Sequence, residues 1–241
     1  MTDEESNAER AYRAVMEPEG LTCYALKMGE SDLYICTAGD TVEAARESLE
    51  RHRAELEGYL ATHSSFGTSF KPVPAATGAP GIVADMAAAG EAFDVGPMAS
   101  VAGAIAQWVG TDLLSVSSEV IVENGGDIFL AGGGRRRIRI FAGVDSRDVD
   151  IIVEDSADGT GVCTSSATVG PSVSFGAADA VTVIAATATI ADAAATAMGN
   201  AVLRPEDIGS GLEMAASFEQ VQGAVIMLQG SMGAWGKVEI A

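Results

Sequence analysis

The chain has 241 residues, 48% of them hydrophobic and 5% aromatic, with 34 acidic against 14 basic side chains and a formal net charge of −20. That length suits one large domain or two small ones and lets the fold bury roughly three quarters of the unfolded surface, so the composition is globular rather than disordered. The charge argues against nucleic acid and against an anionic membrane surface, both of which would be repelled over most of the protein.

Residues 1–8 read as a frayed polar tail, and this acidic start does not read as a signal peptide. Arg10–Met16, Leu21–Met28 and Asp32–Thr37 carry short β-type runs, with Pro18-Glu19-Gly20 and Gly29-Glu30 as turns. Asp40 is placed to cap a helix running to about Thr62. Glu43 comes early in it and Arg46, Arg51 and Arg53 late, as the helix dipole prefers, and Ala45, Leu49, Leu56 and Leu60 mark its apolar stripe. His52, between two arginines, is expected to be solvated; His63 falls at the helix end, where a cation is favoured. A proline-marked loop (Pro72, Pro74, Pro80) leads to helices around Ile82–Ala92 and Pro97–Gly110. The second is rich in Ala and Gly, so another helix or a ligand can approach it closely.

After Ser115 the texture turns β, with runs at Glu119–Glu123, Ile128–Ala131, Arg137–Phe141 and Asp150–Val153. Gly132–Gly134 and Arg135–Arg137 read as an exposed hairpin tip. Strand Ala180–Ala185 leads into helix Ile190–Val202. This stretch is apolar, but Asp192 at its centre and Asn200 near its end suit a buried strand and helix better than a membrane span. Pro205 opens another helix to about Phe218, and Ala224–Leu228 and Trp235–Ile240 close the chain as strands. The simplest organisation is a flexible tail, 1–8, and one α+β domain, 9–241.

The cysteines are Cys23, Cys36 and Cys163, an odd number without a CxxC or Cys/His cluster. They suggest neither a disulfide framework nor a zinc site, and a reducing compartment fits them best. Cys23 and Cys36 fall in strands and are expected in the core. With only two histidines, a Ser/His/Asp triad has little support.

Three segments could carry chemistry. Asn124-Gly125-Gly126-Asp127 between apolar strands is a hairpin signal, and its glycines would also let backbone N–H groups approach a ligand. Asp192 and Thr196, four apart, share a helix face, where a carboxylate and a hydroxyl offer hard oxygen ligands suited to Mg²⁺; alternatively Asp192 serves only the helix start. Gly161–Gly170 is dense in hydroxyls and glycines, with Thr164 and Ser165 able to meet phosphate, and it carries Cys163. It is not a P-loop, because no Gly-Lys-Ser/Thr follows. Cys163 is a nucleophile only where a cation lowers its pKa; otherwise it is a small buried thiol.

Asn124–Asp127, the hydroxyl run after Cys163, and Val181-Thr-Val-Ile-Ala followed by Ala191-Asp192-Ala193-Ala194-Ala195-Thr196 resemble the ApbE superfamily. Its characterised members are magnesium-dependent flavin transferases that move FMN from FAD onto a threonine or serine of a target protein. The segments 95–106, 122–130, 161–171 and Gly233–Gly236 are similar to an uncharacterised cytoplasmic branch of that superfamily, seen in anaerobic archaea and sulfate-reducing bacteria. The resemblance covers most of the chain from about Tyr12 onward. It implies an α+β fold with mixed, largely antiparallel sheets packed with helices, and a cytoplasmic protein. It also implies Asp192 and Thr196 as metal ligands, with Asn124, Gly125, Gly126, Asp127, Thr164 and Ser165 lining a site for FAD or FMN. Two departures stand out. Thr164-Ser165-Ser166 is followed by Thr168-Val169-Gly170-Pro171 where the transferases carry a His-Ile-Asp-Pro-type motif, and the lipoprotein signal of bacterial transferases is missing. Ligand binding without transfer therefore stays open, with Asp192 and Cys163 as the candidate catalytic groups. So do two other readings: a sulfur-handling protein carrying persulfide on Cys163, and a non-enzymatic ligand-binding module. A homo-oligomer is compatible with each.

Overall fold

The computed structural model describes residues 18, 20–142, 147–167 and 175–241. The tail, the Arg10–Met16 run and the Thr168–Pro171 segment lie outside the described residues. Strands β1 (Thr22–Met28) and β2 (Ser31–Thr37) form a hairpin at one edge of an eight-stranded sheet. It continues through β3 (Val120–Asn124), β4 (Asp127–Ala131), β7 (Thr160–Ser165), β8 (Ala180–Ala185), β9 (Val221–Leu228) and β10 (Ser231–Gly236). Between β4 and β7 the chain makes β5 (Arg135–Ile140) and β6 (Val149–Glu154), which join β11 (Glu239–Ile240) in a three-stranded sheet. Every pairing among the described residues is antiparallel.

The helices are α1 (Val42–Thr62), α2 (Ser64–Thr68), α3 (Gly81–Phe93), α4 (Val101–Leu113), α5 (Ala188–Ala201) and α6 (Ile208–Ser217). They cover one face of the large sheet and the small sheet covers part of the other. Val120, Val122, Phe129, Cys163, Val181 and Val183 point into the helical core. Ile121, Ile128, Leu130, Val162 and Ile184 alternate with them and meet Ile138, Ile140, Ile151 and Val153 of the small sheet. Burial on both faces explains why β3, β4 and β8 are apolar or buried at every position. No described helix is long and apolar enough to cross a membrane.

Four expectations need correction. Arg135–Arg137 is not a hairpin tip but the start of β5. Arg135, Arg137 and Arg139 lie on its exposed side, while Ile138 and Ile140 point inward, so the period is two. Gly161–Ser165 is not a loop but most of β7, paired on both sides. His52 is 3% exposed, with its ring 5.1 Å from that of Trp108 and Nε2 2.8 Å from Asp112 Oδ2. It belongs to the buried stripe Ala45, Ser48, Leu49, Leu56 and Tyr59, because helical spacing decides a side chain's surroundings and sequence neighbours do not.

Finally, Cys23 and Cys36 form a disulfide. They sit directly opposite each other in the β1–β2 ladder, with Cα atoms 4.1 Å apart. The compartment argument drawn from three free thiols therefore falls away, and Cys163 is the free cysteine. Reducing this bridge, which closes a separation of 13 residues, is expected to cost about 2–3 kcal/mol. Urea denaturation with and without a thiol reductant would show it, and a Cys23→Ser/Cys36→Ser variant insensitive to reductant is the control. Equal midpoints for the oxidised and reduced wild type would refute the estimate.

Candidate functional site

The turn between β3 and β4 has Asn124 opposite Asp127, with Gly125 at φ 67° and Gly126 at φ 103° between them. Two consecutive positive φ values make this a two-residue hairpin that glycine alone adopts without strain. The turn is tied down from both sides. Asn124 Nδ2 donates to the carbonyl of Ala102 at 3.1 Å, and Gly126 N–H donates to Glu123 Oε1 at 2.9 Å. It is thereby held against the first turn of α4, which a short 3-10 turn, Pro97–Ser100, introduces.

Helix α5 crosses the same place. Thr187 caps it by accepting the N–H of Ile190 at 3.2 Å, and the amide of Ala188 donates to Gln107 Oε1 on α4 at 2.7 Å. Gly103 makes the crossing close, because a Cβ there would strike the Ala188 carbonyl and lie 2.7 Å from Asp192 Cβ. Asp192 Oδ2 accepts the Gly103 N–H at 2.9 Å. This amide lies at the positive end of α4, where an anion is favoured.

Asp127 comes to the same spot from the sheet. It is 7% exposed and pairs across β4–β7 with Cys163, and the neighbouring Cys163 side chain and Thr164 backbone favour its charged form. Its Oδ1 is buried without a partner. Burial, and then the negative charge of Asp192, push the Asp127 carboxyl well above the usual range. Burial also pushes Asp192 up to about 7, against the opposing pull of the Gly103 hydrogen bond. The Cys163 thiol donates to the Ala188 carbonyl at 3.2 Å. Burial, followed by the charges of Asp127 and Asp192, drives its pKa well up, so it stays neutral at physiological pH.

The structure thus brings together Asn124, Asp127, Cys163 and Asp192. Thr196 lies one turn further along α5, with its hydroxyl donating to the Ala99 carbonyl at 3.3 Å. The Thr164 hydroxyl is not part of this group: it bonds the Thr182 hydroxyl at 2.8 Å on the opposite face of β7 from Cys163. Ser165, on the same strand face as Cys163, is buried. Sequence reasoning missed Glu123, buried directly before the turn, and the amide end of α4. A carboxylate next to the turn was a visible signal for the first; nothing local marks the second. It also missed Thr189, whose buried hydroxyl has no partner.

Among the described residues no group of three or more His, Cys, Asp or Glu side chains could hold a metal ion. The donor set does suit a hard cation that keeps other oxygens of its own. It offers the unpartnered Asp127 Oδ1, the Asp192 carboxylate, the Thr196 hydroxyl and the Ala99 carbonyl. Mg²⁺ is commonly held by one or two carboxylates plus waters and phosphate oxygens.

This arrangement of helices on an antiparallel sheet is the ApbE fold. The chain superposes on the flavin transferase ApbE from Vibrio cholerae with a TM-score of 0.62 at 14% identity, covering 90% of this chain and 97% of that one. For the apo flavinyl transferase ApbE of Pseudomonas stutzeri the TM-score is 0.58 at 18% identity, covering 90% and 94%. The family model described as AbpE bacteria matches residues 13–234, and the chain belongs to that family. Among relatives, the UPF0280 protein of Methanococcus aeolicus is 42% identical over 204 residues, 82% of each chain. That of Methanocaldococcus jannaschii is 43% identical over 201 residues, 80% of this chain and 82% of its own.

Proposed function

We propose that the chain binds a flavin nucleotide, FAD or FMN, through a Mg²⁺ ion held at the Asp127–Asp192 pair, and that it acts as an FAD-dependent FMN transferase. The observation that carries this reading is the buried, partnerless Asp127 Oδ1 facing a second carboxylate. Two crowded carboxylates with a free oxygen are costly unless a cation or a proton joins them. Bound there, Mg²⁺ would neutralise charge on a pyrophosphate. The chain's own part is to hold the ligand. Asn124 fixes the turn against α4, and the Gly103 amide orients Asp192. In the transfer, an acceptor hydroxyl oxygen would form a bond to the FMN phosphorus and give up its proton to solvent, while the anhydride bond breaks and AMP leaves with the bonding electron pair.

A sulfur-handling role for Cys163 is not favoured. The thiol is fully buried, engaged with Ala188 and held neutral first by that burial and then by two carboxylates, whereas a reactive cysteine needs exposure and a cationic neighbour.

Calorimetric titration of FAD in the presence of Mg²⁺ tests the reading. Binding to the wild type should need the metal, and Asp192→Ala should weaken it at least about a hundredfold, the cost of leaving Asp127 without its partner in cation binding. Wild-type protein that takes up no FAD with Mg²⁺ present would end it. AMP release on adding a Thr- or Ser-containing acceptor tests the transfer separately.

A further inference from the structure

A sheet edge is a row of backbone donors and acceptors, and charged side chains commonly guard it against another strand. Among the described edges, β1 carries Lys27, β5 carries four arginines, and β11 is two residues long with Glu239. Strand β10 is the exception. From Val221 to Gly236 the chain has no charged residue, in a sequence that is 20% charged. Yet Ser231, Met232, Ala234 and Gly236 are exposed, Met232 at 46%.

The β9–β10 turn decides which backbone groups face outward. Gln229 and Gly230, at φ 51° and 76°, form a two-residue turn between Leu228 and Ser231, which lie opposite each other. In such a hairpin the flanking pair exchanges both hydrogen bonds, and every second pair after it does the same. Ser231, Gly233 and Trp235 therefore bond inward to β9, while Met232, Ala234 and Gly236 turn their N–H and C=O groups to the edge. The Gly236 carbonyl already accepts the Val238 N–H at 2.9 Å. Met232 and Ala234 thus offer the donors and acceptors of the open side. Their side chains share the small-sheet face with Met227 and Val225, and Gly233 and Trp235 lie on the helical face opposite Ile226 and Ala224. Gly233 is bare because Ile208 and Leu212 of α6 occupy the place of a Cβ.

We propose that β10 pairs with β10 of a second copy about a two-fold axis at Gly233, joining the two large sheets in a dimer. Charge points to this occupant. Each copy carries −20 and repels the next, and the uncharged hairpin is where two copies meet with no like charges at contact. The strand is also its own complement. In antiparallel pairing about Gly233, Met232 faces Ala234 of the second copy, and Ala234 faces its Met232. Both pairs exchange two backbone hydrogen bonds, and in each a long side chain lies beside a small one. Trp235 likewise meets Ser231 of the second copy. The two Gly233 residues form the central pair, of the kind in which Cα atoms approach to about 4.5 Å. Centring the pairing on Ala234 instead calls on the occupied Gly236 carbonyl, and centring it on Met232 sets that side chain against itself. A six-residue strand is about 20 Å long. That is a small interface, and it sets association in the micromolar range.

Sedimentation velocity of the full chain from about 1 to about 200 μM tests this. The wild type should pass from monomer to dimer and go no further, because a two-fold interface closes on itself. Added salt should tighten the dimer, since it screens the repulsion between copies and the interface has no ion pair to weaken. Ala234→Glu and Ala234→Lys should each weaken association at least about tenfold. Residue 234 is exposed, so the melting temperature of the dilute protein should not move in either variant. Mixing the two variants should restore the dimer, because the two positions 234 lie diagonally on one face, within reach of long side chains. Wild-type protein that stays monomeric throughout overturns the proposal. So do single variants that dimerise like the wild type, a mixture that fails to associate, species larger than a dimer, or a dimer that salt loosens.

Discussion

Replacing Gly103 by alanine is expected to destabilise the protein by about 2 kcal/mol and to remove Mg²⁺-dependent nucleotide binding. On helix propensity alone the change would be favourable by about 1 kcal/mol, since Gly103 lies within α4. Sterics oppose it. The added carbon would strike the Ala188 carbonyl and press on Asp192 Cβ from 2.7 Å, and a backbone atom at a helix start cannot swing aside as a side-chain tip can. Relief requires α4 and α5 to separate, and that lengthens the hydrogen bond from Gly103 N–H to Asp192. Stability and site geometry should therefore fail together. The matched control is Gly58→Ala in α1, where a Cβ meets nothing within 4 Å. There the propensity gain stands alone and the protein should be stabilised by about 1 kcal/mol. Urea denaturation of both variants reads the signs; a neutral or stabilising Gly103→Ala would show that the two helices are not in forced contact.

The contrast between these two glycines also marks what was legible in the sequence. Elements with a strong local signal were. Strand Ala180–Ala185 has the expected bounds, and the Asn124–Asp127 turn lies between the expected strands. The long helix ends at Thr62 as read, although Thr41 occupies its cap position and Asp40 instead accepts the Val42 N–H at 3.2 Å. What failed needed arithmetic across elements. A two-residue turn at Gly29-Glu30 sets Met28 opposite Ser31, and the same register sets Cys23 opposite Cys36. Turn and cysteines were both visible, yet the pairing emerges only when the turn length is carried down the ladder. His52 failed in the same way, since Leu49, His52 and Leu56 stand at i, i+3 and i+7 of one face. Strand β7 hid because its glycine and hydroxyls mimic a loop; Gly161 is required there by the backbone of α5, where a Cβ would strike Ala188. Of the candidate site, the two aspartates were readable as separate motifs. Their meeting depends on the crossing of α4 and α5, which no local pattern encodes.

That meeting makes the stability of the metal-free protein depend on pH in a direction opposite to that of an ordinary salt-bridged carboxylate. Asp192 has its pKa raised from 3.8 to about 7 by burial. Below pH 3.8 it is protonated in both folded and unfolded chains and contributes no slope. Between about 4 and 7 the folded state keeps a proton that the unfolded state releases, so stability falls as pH rises through that window and levels off above it. Asp127, raised by its own burial and by the charge of Asp192, adds a decline of the same sign. Asp192→Asn keeps an acceptor for the Gly103 amide but cannot ionise. In the presence of a chelator the variant's advantage over the wild type should grow by on the order of a few degrees between pH 5 and pH 8. Mg²⁺ at pH 8 should close that gap for the wild type and leave the variant unmoved, because only the wild type has the second carboxylate charge to neutralise. Parallel melting curves for the two proteins from pH 5 to pH 8 would mean that Asp192 is solvated like any surface carboxylate, and the paired-carboxylate centre would lose its physical basis.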